Sequence, residues 1–584
     1  MNGLPKGGSF LFQQTLPQDI FTPEDFSLEH KMIYRTAAGF VTDSVLTRMD
    51  ELEAKQEGLN RELLQAAGEL GLNGADIAEE YGGTEMDKIS TTIIAECMGR
   101  SGSFAMTQGG QTGIGSMPIV MFGTHEQKQK YLPGIATGEI IGAYALTEPG
   151  AGSDALSAKT SAVLSSDGKY YLLNGTKQFI TNSAMADIFI VYAKIDGDKF
   201  SAFIVEAASE GLSTGAEEKK MGIKGSSTRS VSFEDVKVPV ENLLFTTGRG
   251  HIVAFNILNL GRYKLAANSL GNAKFALELA ATYANERKQF GSPIAGFGLI
   301  KEKLAEMAMK IYVMESMVYR TGGLLENMMN SLDTSGEDGG QVAAQGIEEY
   351  ALECSMNKVF ATEALAYTVD EGVQIHGGYG FSAEYTIERL YRDARIYRIF
   401  EGTNEINRVL IPTTMLRRAA KGDFPLQEAF ARLKETMASG SLSRDGEDGL
   451  VQAAKDIFLL TLDIALQKYG KELPKHQEIL GKQADLAIQA FAMESAWLRA
   501  KKALAKEGEA QAKLKLTLAK AYIYATIGRL EYSAQEILAA LAEGKELADN
   551  LENLHRLTRY TPQNTVALRR EIAAAISENG RYVV

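Results

Sequence analysis

Ile188-Phe189-Ile190-Val191-Tyr192-Ala193-Lys194-Ile195, followed after one short turn by Phe200-Ser201-Ala202-Phe203-Ile204-Val205, interrupts a chain that is otherwise written in helical periods. The two runs are rich in β-branched and aromatic residues and are bounded by turn formers, so they read as strands. Lys169-Tyr-Tyr-Leu-Leu173 and Ser230-Val-Ser-Phe233 extend the same character over roughly a hundred residues, enough for a β unit. From about Thr22 to Gly142 apolar residues recur at helical spacing, as in Arg61–Leu70 and Thr91–Met98, with Gly82-Gly83 and Gly109-Gly110 read as breaks between helices. After Val238-Pro239 the helical period returns and persists to about Gly422, with Ser335–Gly340 as a loop inside it. A polar stretch, Ser439–Gly449, reads as a linker to a last helical unit, where Phe458, Leu462, Ala465 and Leu466 share a face and Leu514–Leu530 repeats the pattern. The expected fold is mainly α with a central β domain: residues 1–142 helical, 143–245 β, 246–422 a helical bundle and 423–584 an additional helical C-terminal domain.

Composition excludes several classes of function. At 584 residues the chain is long enough for two to four packed units, and 45% apolar with 23% charged residues is a globular balance. A net charge of -13 argues against a nucleic-acid partner, whose footprint is basic. Cys97 and Cys354 lie far apart and the six histidines follow no ligand spacing, so neither a disulfide framework nor a metal site is expected. No apolar run of about 18 residues and no apolar core behind the N-terminus occur, which leads to the expectation of a cytoplasmic protein without stable membrane insertion.

Four segments carry chemistry. Tyr144-Ala-Leu-Thr-Glu-Pro-Gly-Ala-Gly-Ser-Asp154 is a glycine turn flanked by hydroxyls, suited to bringing backbone N–H groups to a phosphate or a flavin edge. It is not a Rossmann fingerprint, since no G-x-G-x-x-G opens a helix after a strand. In Asn174-Gly-Thr-Lys-Gln-Phe-Ile-Thr-Asn182, Asn174-Gly175 reads as a hairpin turn, and the two-residue period puts Phe179 and Thr181 on one side of the following strand. Arg287 and Phe290 close a helix before Gly291, and Gln374-Ile-His-Gly-Gly-Tyr-Gly-Phe381 follows later. In Phe400-Glu401-Gly402-Thr403-Asn404 a carboxylate stands next to a glycine after Arg395 and Arg398. A water-poor pocket would raise its pKa toward neutrality, where a base for a weakly acidic C–H works best.

Together, and in this order, the motifs resemble the signature set of the acyl-CoA dehydrogenase flavoproteins from about Phe21 to Gly422. Lys219–Lys224, Ile257–Arg262, Phe297–Leu304, Arg395–Asn404 and the extra helical unit are most similar to the very-long-chain branch. The resemblance implies a helical N-terminal domain, a β-barrel-like middle domain and a helical bundle, with FAD bound between the last two and across a subunit boundary. It implies that Glu401 removes the pro-R α-proton of a long-chain acyl-CoA while the β-hydrogen leaves as hydride to the flavin, giving a trans-2-enoyl-CoA. The Glu401 N–H and a ribityl hydroxyl would hold the thioester oxygen. Tyr144, Thr147, Ser153, Phe179 and Thr181 would line the flavin and pyrophosphate. Arg287, Phe290, Gln374 and Gly378 would reach the adenosine half in the partner subunit, and Thr403 and Glu405 would stand near the cofactor. Ser153, Asn259, Arg262 and Gly402 would contact substrate, with Arg262 close to Glu401. Electrons would pass to an electron-transfer flavoprotein.

The chain departs from the family pattern in three places. Phe179 replaces the usual Trp, Gly298 stands where many relatives have Gln, and no long membrane-associating insertion stands at Ser439–Gly449. A branch of the family carries its base at the residue before Arg262. Here that residue is Gly261, which cannot accept a proton. Small residues at Gly109 and Gly110 are read as leaving the acyl tunnel open, and the extra domain as filling the place of a second dimer, so a homodimer is expected. An oxidase-like use of dioxygen and a non-catalytic scaffold are the alternative functions.

Overall fold

The computed structural model describes residues 4–439 and 444–584; the middle of the expected linker, 440–443, lies outside the described residues. Helices of the N-terminal part, among them Leu28–Phe40, Lys88–Met98 and His125–Thr137, lead into β1 (Gly142–Ala145). The sheet continues with β2 (Ser161–Leu164), β3 (Tyr170–Thr181), β4 (Ile188–Ile195), β5 (Lys199–Glu206), β6 (Leu212–Thr214), β7 (Thr228–Pro239) and β8 (Leu243–Leu244). Its order is β6-β7-β3-β2-β4-β5-β8, with β1 and β2 parallel to β4 and the other pairs antiparallel. The unbroken apolar run in β4 has a physical cause: Phe189, Val191 and Ala193 enter the sheet's own core, while Ile188, Ile190 and Tyr192 face the core shared with the helices. A strand covered on both faces does not need to alternate.

The sequence reading places a hairpin turn at Asn174-Gly175, and the structure overturns it. Both residues lie inside β3, whose turn partner is β2. Asp235 exchanges hydrogen bonds with the Asn174 side chain at 2.9 Å in each direction. A side chain at Gly175 would meet Thr160 at 2.6 Å, so this glycine serves close strand packing at a bulge rather than a reversal. Gly109-Gly110 likewise does not break a helix: Ser103–Gly109 runs directly into a π-helical turn, Gly110–Gly115. Close approach explains two of these glycines, because a Cβ at Gly110 would meet Asn182 at 2.9 Å and one at Gly115 would meet Gly142 at 3.0 Å.

Beyond the sheet, the helices Gly250–Glu286, Gly298–Asn330, Ala351–His376 and Asn404–Ala420 form the bundle. Gly446–Tyr469, Gln477–Glu507, Glu509–Leu541 and Thr565–Asn579 make the additional helical unit, which packs on the bundle through Gly298–Asn330 and Asn404–Ala420. A buried ionic network crosses that junction. The fully buried Arg499 donates from Nε to Glu24 at 3.0 Å and from Nη1 to Glu315 at 2.6 Å. Lys274 pairs with Glu315 and, at 2.6 Å, with Glu96. Tyr582 near the C-terminus donates to Glu315 at 2.8 Å, and Lys515 reaches Glu24 at 3.0 Å. Among the described residues no helix is long and apolar enough to cross a membrane, and no cluster of metal-ligating side chains occurs.

Candidate active site

The turn between helices Thr386–Tyr397 and Asn404–Ala420 presents Glu401 to a cavity of about 1750 Å3 bounded by the N-terminal helices, the sheet and the bundle. Two consecutive residues there are left-handed, Glu401 at φ 57° and Gly402 at φ 79°. Glycine adopts that region freely and glutamate at a cost, so the turn is held from outside. Arg262 Nε donates to the Glu401 carbonyl at 3.2 Å, and Lys358 Nζ donates to the Gly402 carbonyl at 2.8 Å. Asn407 adds bonds to the Gly402 and Thr403 carbonyls, and Thr403 caps the next helix by accepting from the Ile406 N–H at 3.2 Å. No hydrogen bond from the Glu401 N–H to any described residue is formed.

The Glu401 carboxylate lies over helix Gly250–Glu286, with Oε2 enclosed and without a hydrogen-bond partner. Gly261 makes the room, since a Cβ there would stand 2.6 Å from that oxygen. Burial pushes the Glu401 carboxyl up to about 7, while the charges of Arg262 and Lys358 pull the other way. A carboxylate poised near neutrality and left unpaired in a cleft is the arrangement of a general base.

Across the cavity stand Tyr144, Thr147, Ser153, Phe179 and Thr181. Phe179 and Thr181 both line it, yet not by simple alternation. β3 carries one extra residue against β7 between Lys177 and Ile180, Phe179 is left-handed at φ 59°, and its ring is 62% exposed. The glycine turn is anchored from behind by the buried pair Lys177–Glu148 at 2.8 Å. The Tyr144 hydroxyl is buried beside that of Tyr192. An exposed aromatic face and open space at the cavity-lining Gly152, between the hydroxyls of Thr147 and Ser153, together fit a large planar cofactor with a phosphate tail.

Asn259, Arg262, Gly402 and Thr403 line the same cavity, and Asn259 Oδ1 accepts from Arg262 Nη1 at 2.9 Å. Glu405 does not line it and is exposed on the first turn of Asn404–Ala420. Arg287, Phe290, Gln374 and Gly378 lie elsewhere, on an exposed end where the Arg287 guanidinium sits 5.6 Å from the centre of the Tyr379 ring. Phe290 and Phe381 there are 95% and 90% exposed.

The cavity extends in two directions. Toward the N-terminal helices it is lined by Leu72, Ile94, Ala95, Ala105, Gly109 and Gly113, and a Cβ at either glycine would meet nothing within 4 Å. The ion pair Lys264–Asp76, at 2.6 Å, stands in the same wall. The other arm follows one face of Asn404–Ala420 through Ile406, Leu410, Thr413 and Thr414 to Arg417 and Lys421, about 22 Å at the helical rise. Sequence reasoning missed Lys358, Asn407, Arg417 and Lys421; Gly113 lies in Gly110–Gly115, a stretch it reads as packing or pocket shaping. The usable signal for Lys358 was a lysine on the stripe Cys354, Lys358, Ala361, Leu365, whose other members are apolar; all four are buried.

Comparison with known proteins gives the following likenesses. Residues 27–139, 143–236 and 248–416 match the profiles of the acyl-CoA dehydrogenase N-terminal, middle and C-terminal domains, and 453–556 match a further acyl-CoA dehydrogenase C-terminal domain. A probable acyl-CoA dehydrogenase of Bacillus subtilis is 52% identical over 99% of this chain and 98% of its own. The rat mitochondrial very long-chain specific acyl-CoA dehydrogenase is 35% identical over 88% of this chain and 80% of its own. The crystal structure of an acyl-CoA dehydrogenase complexed with FAD from Bacillus anthracis superposes with a TM-score of 0.98 at 54% identity, covering 99% of this chain and 100% of that one.

Proposed function

The chain belongs to the acyl-CoA dehydrogenase family, FAD-dependent oxidoreductases acting on CH–CH donors, and we propose that this member desaturates long-chain acyl-CoA thioesters with Glu401 as the base. The observation that carries the reading is the enclosed, unpaired Glu401 carboxylate in the same cavity that Phe179 and Thr181 line. The thioester oxygen accepts from the free Glu401 N–H, which stabilises the enolate that forms as the α-proton leaves. Glu401 takes that proton, and the C–H bond electrons become the new Cα–Cβ double bond as the β-hydrogen departs. FAD, when bound, supplies the acceptor for that hydride. Tyr144, Thr147, Ser153, Phe179 and Thr181 hold the flavin half. The exposed cluster of Arg287, Phe290, Gln374 and Gly378 serves the adenosine half in a second copy, which makes the working unit a homodimer. An electron-transfer flavoprotein is the redox partner.

Long-chain preference is supported by the apolar arm and by the likeness to a very long-chain enzyme. Anaerobic titration with acyl-CoAs of graded length, read as loss of flavin absorbance, tests cofactor, reaction and chain length together; a flavin that no acyl-CoA bleaches would refute the reading. Gly109→Leu places a Cβ that meets nothing within 4 Å at a residue lining the open arm, and leucine is the better helix former by about 1 kcal/mol. It is expected to lower kcat/KM for palmitoyl-CoA about 10–100-fold while butyryl-CoA turnover and thermal stability hold.

The second arm ends beside Arg417 and Lys421, which form no ion pair among the described residues, with Glu348, Glu349 and Asp423 also in its lining, and the CoA phosphates are assigned to the two cations. Replacing both with Glu is expected to raise KM for acyl-CoA about tenfold, more so at low salt, and to leave the matching acyl-pantetheine unaffected. Equal effects on the two substrates would place the nucleotide elsewhere.

A further inference from the structure

Lys358 is a fully buried lysine whose ammonium is spent on the catalytic turn. Besides the Gly402 carbonyl it donates to Asn404 Oδ1 at 2.7 Å, and Asn404 is fixed in turn by donating to Thr362 Oγ1 at 3.1 Å and Glu363 Oε1 at 3.0 Å. Arg262 grips the carbonyl just before, that of Glu401. Two buried cations from two different helices thus hold two successive carbonyls of a turn in which both residues are left-handed, and neither forms a direct ion pair with the Glu401 carboxylate.

We propose that Lys358 is a positioning residue for the base: its ammonium locks the Glu401–Gly402 turn so that the carboxylate and the Glu401 N–H both face the cavity, and its charge, seated with that of Arg262 behind the carboxylate, favours the ionised base. The proposal rests on the reading of Glu401 as the base and extends it to a residue that touches neither substrate nor cofactor.

The surroundings leave Lys358 and Arg262 as the charges that matter. From the bundle helix Gly250–Glu286 come Arg262 and the side-chain-free Gly261, and from β1 comes the neutral Tyr144 hydroxyl. On the helix of Lys358 itself stand Cys354, whose thiol burial holds far above neutrality, and Glu363. Glu363 is occupied by Arg408 at 2.7 Å, which also binds Asp485 of Gln477–Glu507 at 2.8 Å. Glu405, on the first turn of Asn404–Ala420, is exposed. Burial pushes Lys358 down to about 7, against the pull of Glu401, so the two groups titrate as a linked pair.

The sign of the effect follows. A neutral group at 358 removes a charge that favours carboxylate, so Glu401 must hold its proton to higher pH. Flavin reduction by palmitoyl-CoA is measured by anaerobic stopped flow, from about pH 5.5 to 9, on FAD-loaded full-length wild type, Lys358→Met, Lys358→Arg and Glu401→Gln. The wild-type acid limb is expected at about 7. In Lys358→Met it should move up by at most about one pH unit, because Lys358 itself titrates at about 7 and carries only part of its charge across the limb, with the plateau rate about tenfold lower. Lys358→Arg should restore the limb and not the plateau, because a guanidinium keeps the charge but does not fit the two-acceptor seat. A merely structural lysine would change thermal stability and leave the limb in place; that outcome in Lys358→Met overturns the proposal. Should that variant not fold, Lys358→Arg decides, and a wild-type plateau there overturns it equally. Unimpaired reduction in Glu401→Gln would instead sink the base assignment, so the two failures are told apart.

Discussion

Glu401→Gln is expected to leave a yellow, FAD-loaded protein whose flavin is reduced by palmitoyl-CoA about 10^4-fold more slowly, the upper range for loss of a well-placed general base. The amide keeps the shape of the side chain over Gly261 and cannot accept the α-proton. Substrate binding should persist, because the two arms of the cavity and the Glu401 N–H are untouched. Stability should move the other way. The folded protein holds the Glu401 proton to about 7, against 4.5 for an ordinary glutamate, so ionisation disfavours the fold progressively as pH rises between those values. Glu401→Gln lacks that penalty, so its melting temperature should exceed that of wild type above about pH 7 and converge with it toward pH 4.5. Anaerobic stopped flow and melting curves at the two pH extremes check both halves. Retention of a wild-type reduction rate would remove Glu401 from the chemistry.

The contrast between Glu401 and Lys358 shows what a sequence makes legible. Phe400–Asn404 is contiguous, so the base, the glycine beside it and the helix cap stand in one short word and can be read together. Lys358 meets that word only through the packing of two helices, and its role is invisible until the Gly402 carbonyl is seen 2.8 Å away. The strand Ile188–Ile195 was legible to the residue because both its faces are covered and the apolar run has no gaps. Asn174-Gly175 was misread for the opposite reason. Its local turn preference is real, but a bulge opposite β7 and the approach of Thr160 use the same glycine for packing. Gly110 failed in the same way: what breaks an isolated helix is here a helix shaved thin toward Asn182, whereas Gly109 has open space beside it in the cavity. Local propensity thus yields wherever a neighbour comes closer than a Cβ allows.

Arg499→Met is expected to cost about 3–5 kcal/mol and to lower the first thermal transition by about 10 °C, because it strips two buried carboxylates of a partner at once. Glu24 belongs to the N-terminal segment, Glu315 to the bundle and Arg499 to the additional C-terminal unit, so one guanidinium ties three parts of the chain. Three buried carboxylates, Glu24, Glu96 and Glu315, face three cations, Arg499, Lys274 and Lys515, and Lys515 also binds the partly exposed Glu507 at 2.7 Å. The pH dependence identifies the cause. Burial would raise the Glu24 carboxyl, but Arg499 and Lys515 outweigh it and hold it at about 2 against 4.5 for an ordinary glutamate. Such a depressed group contributes its stability in full above about 4.5 and loses it as pH falls toward 2, so the gap between wild type and variant should be widest at neutral pH and narrow on acidification. Adding Glu24→Gln to Arg499→Met should recover part of the loss, since it removes one of the charges left unpaired. An Arg499→Met protein that melts with wild type would mean that the additional unit is held by its apolar faces alone. Because that unit also packs on Asn404–Ala420, the helix that follows Glu401, undocking should slow flavin reduction before the bundle melts.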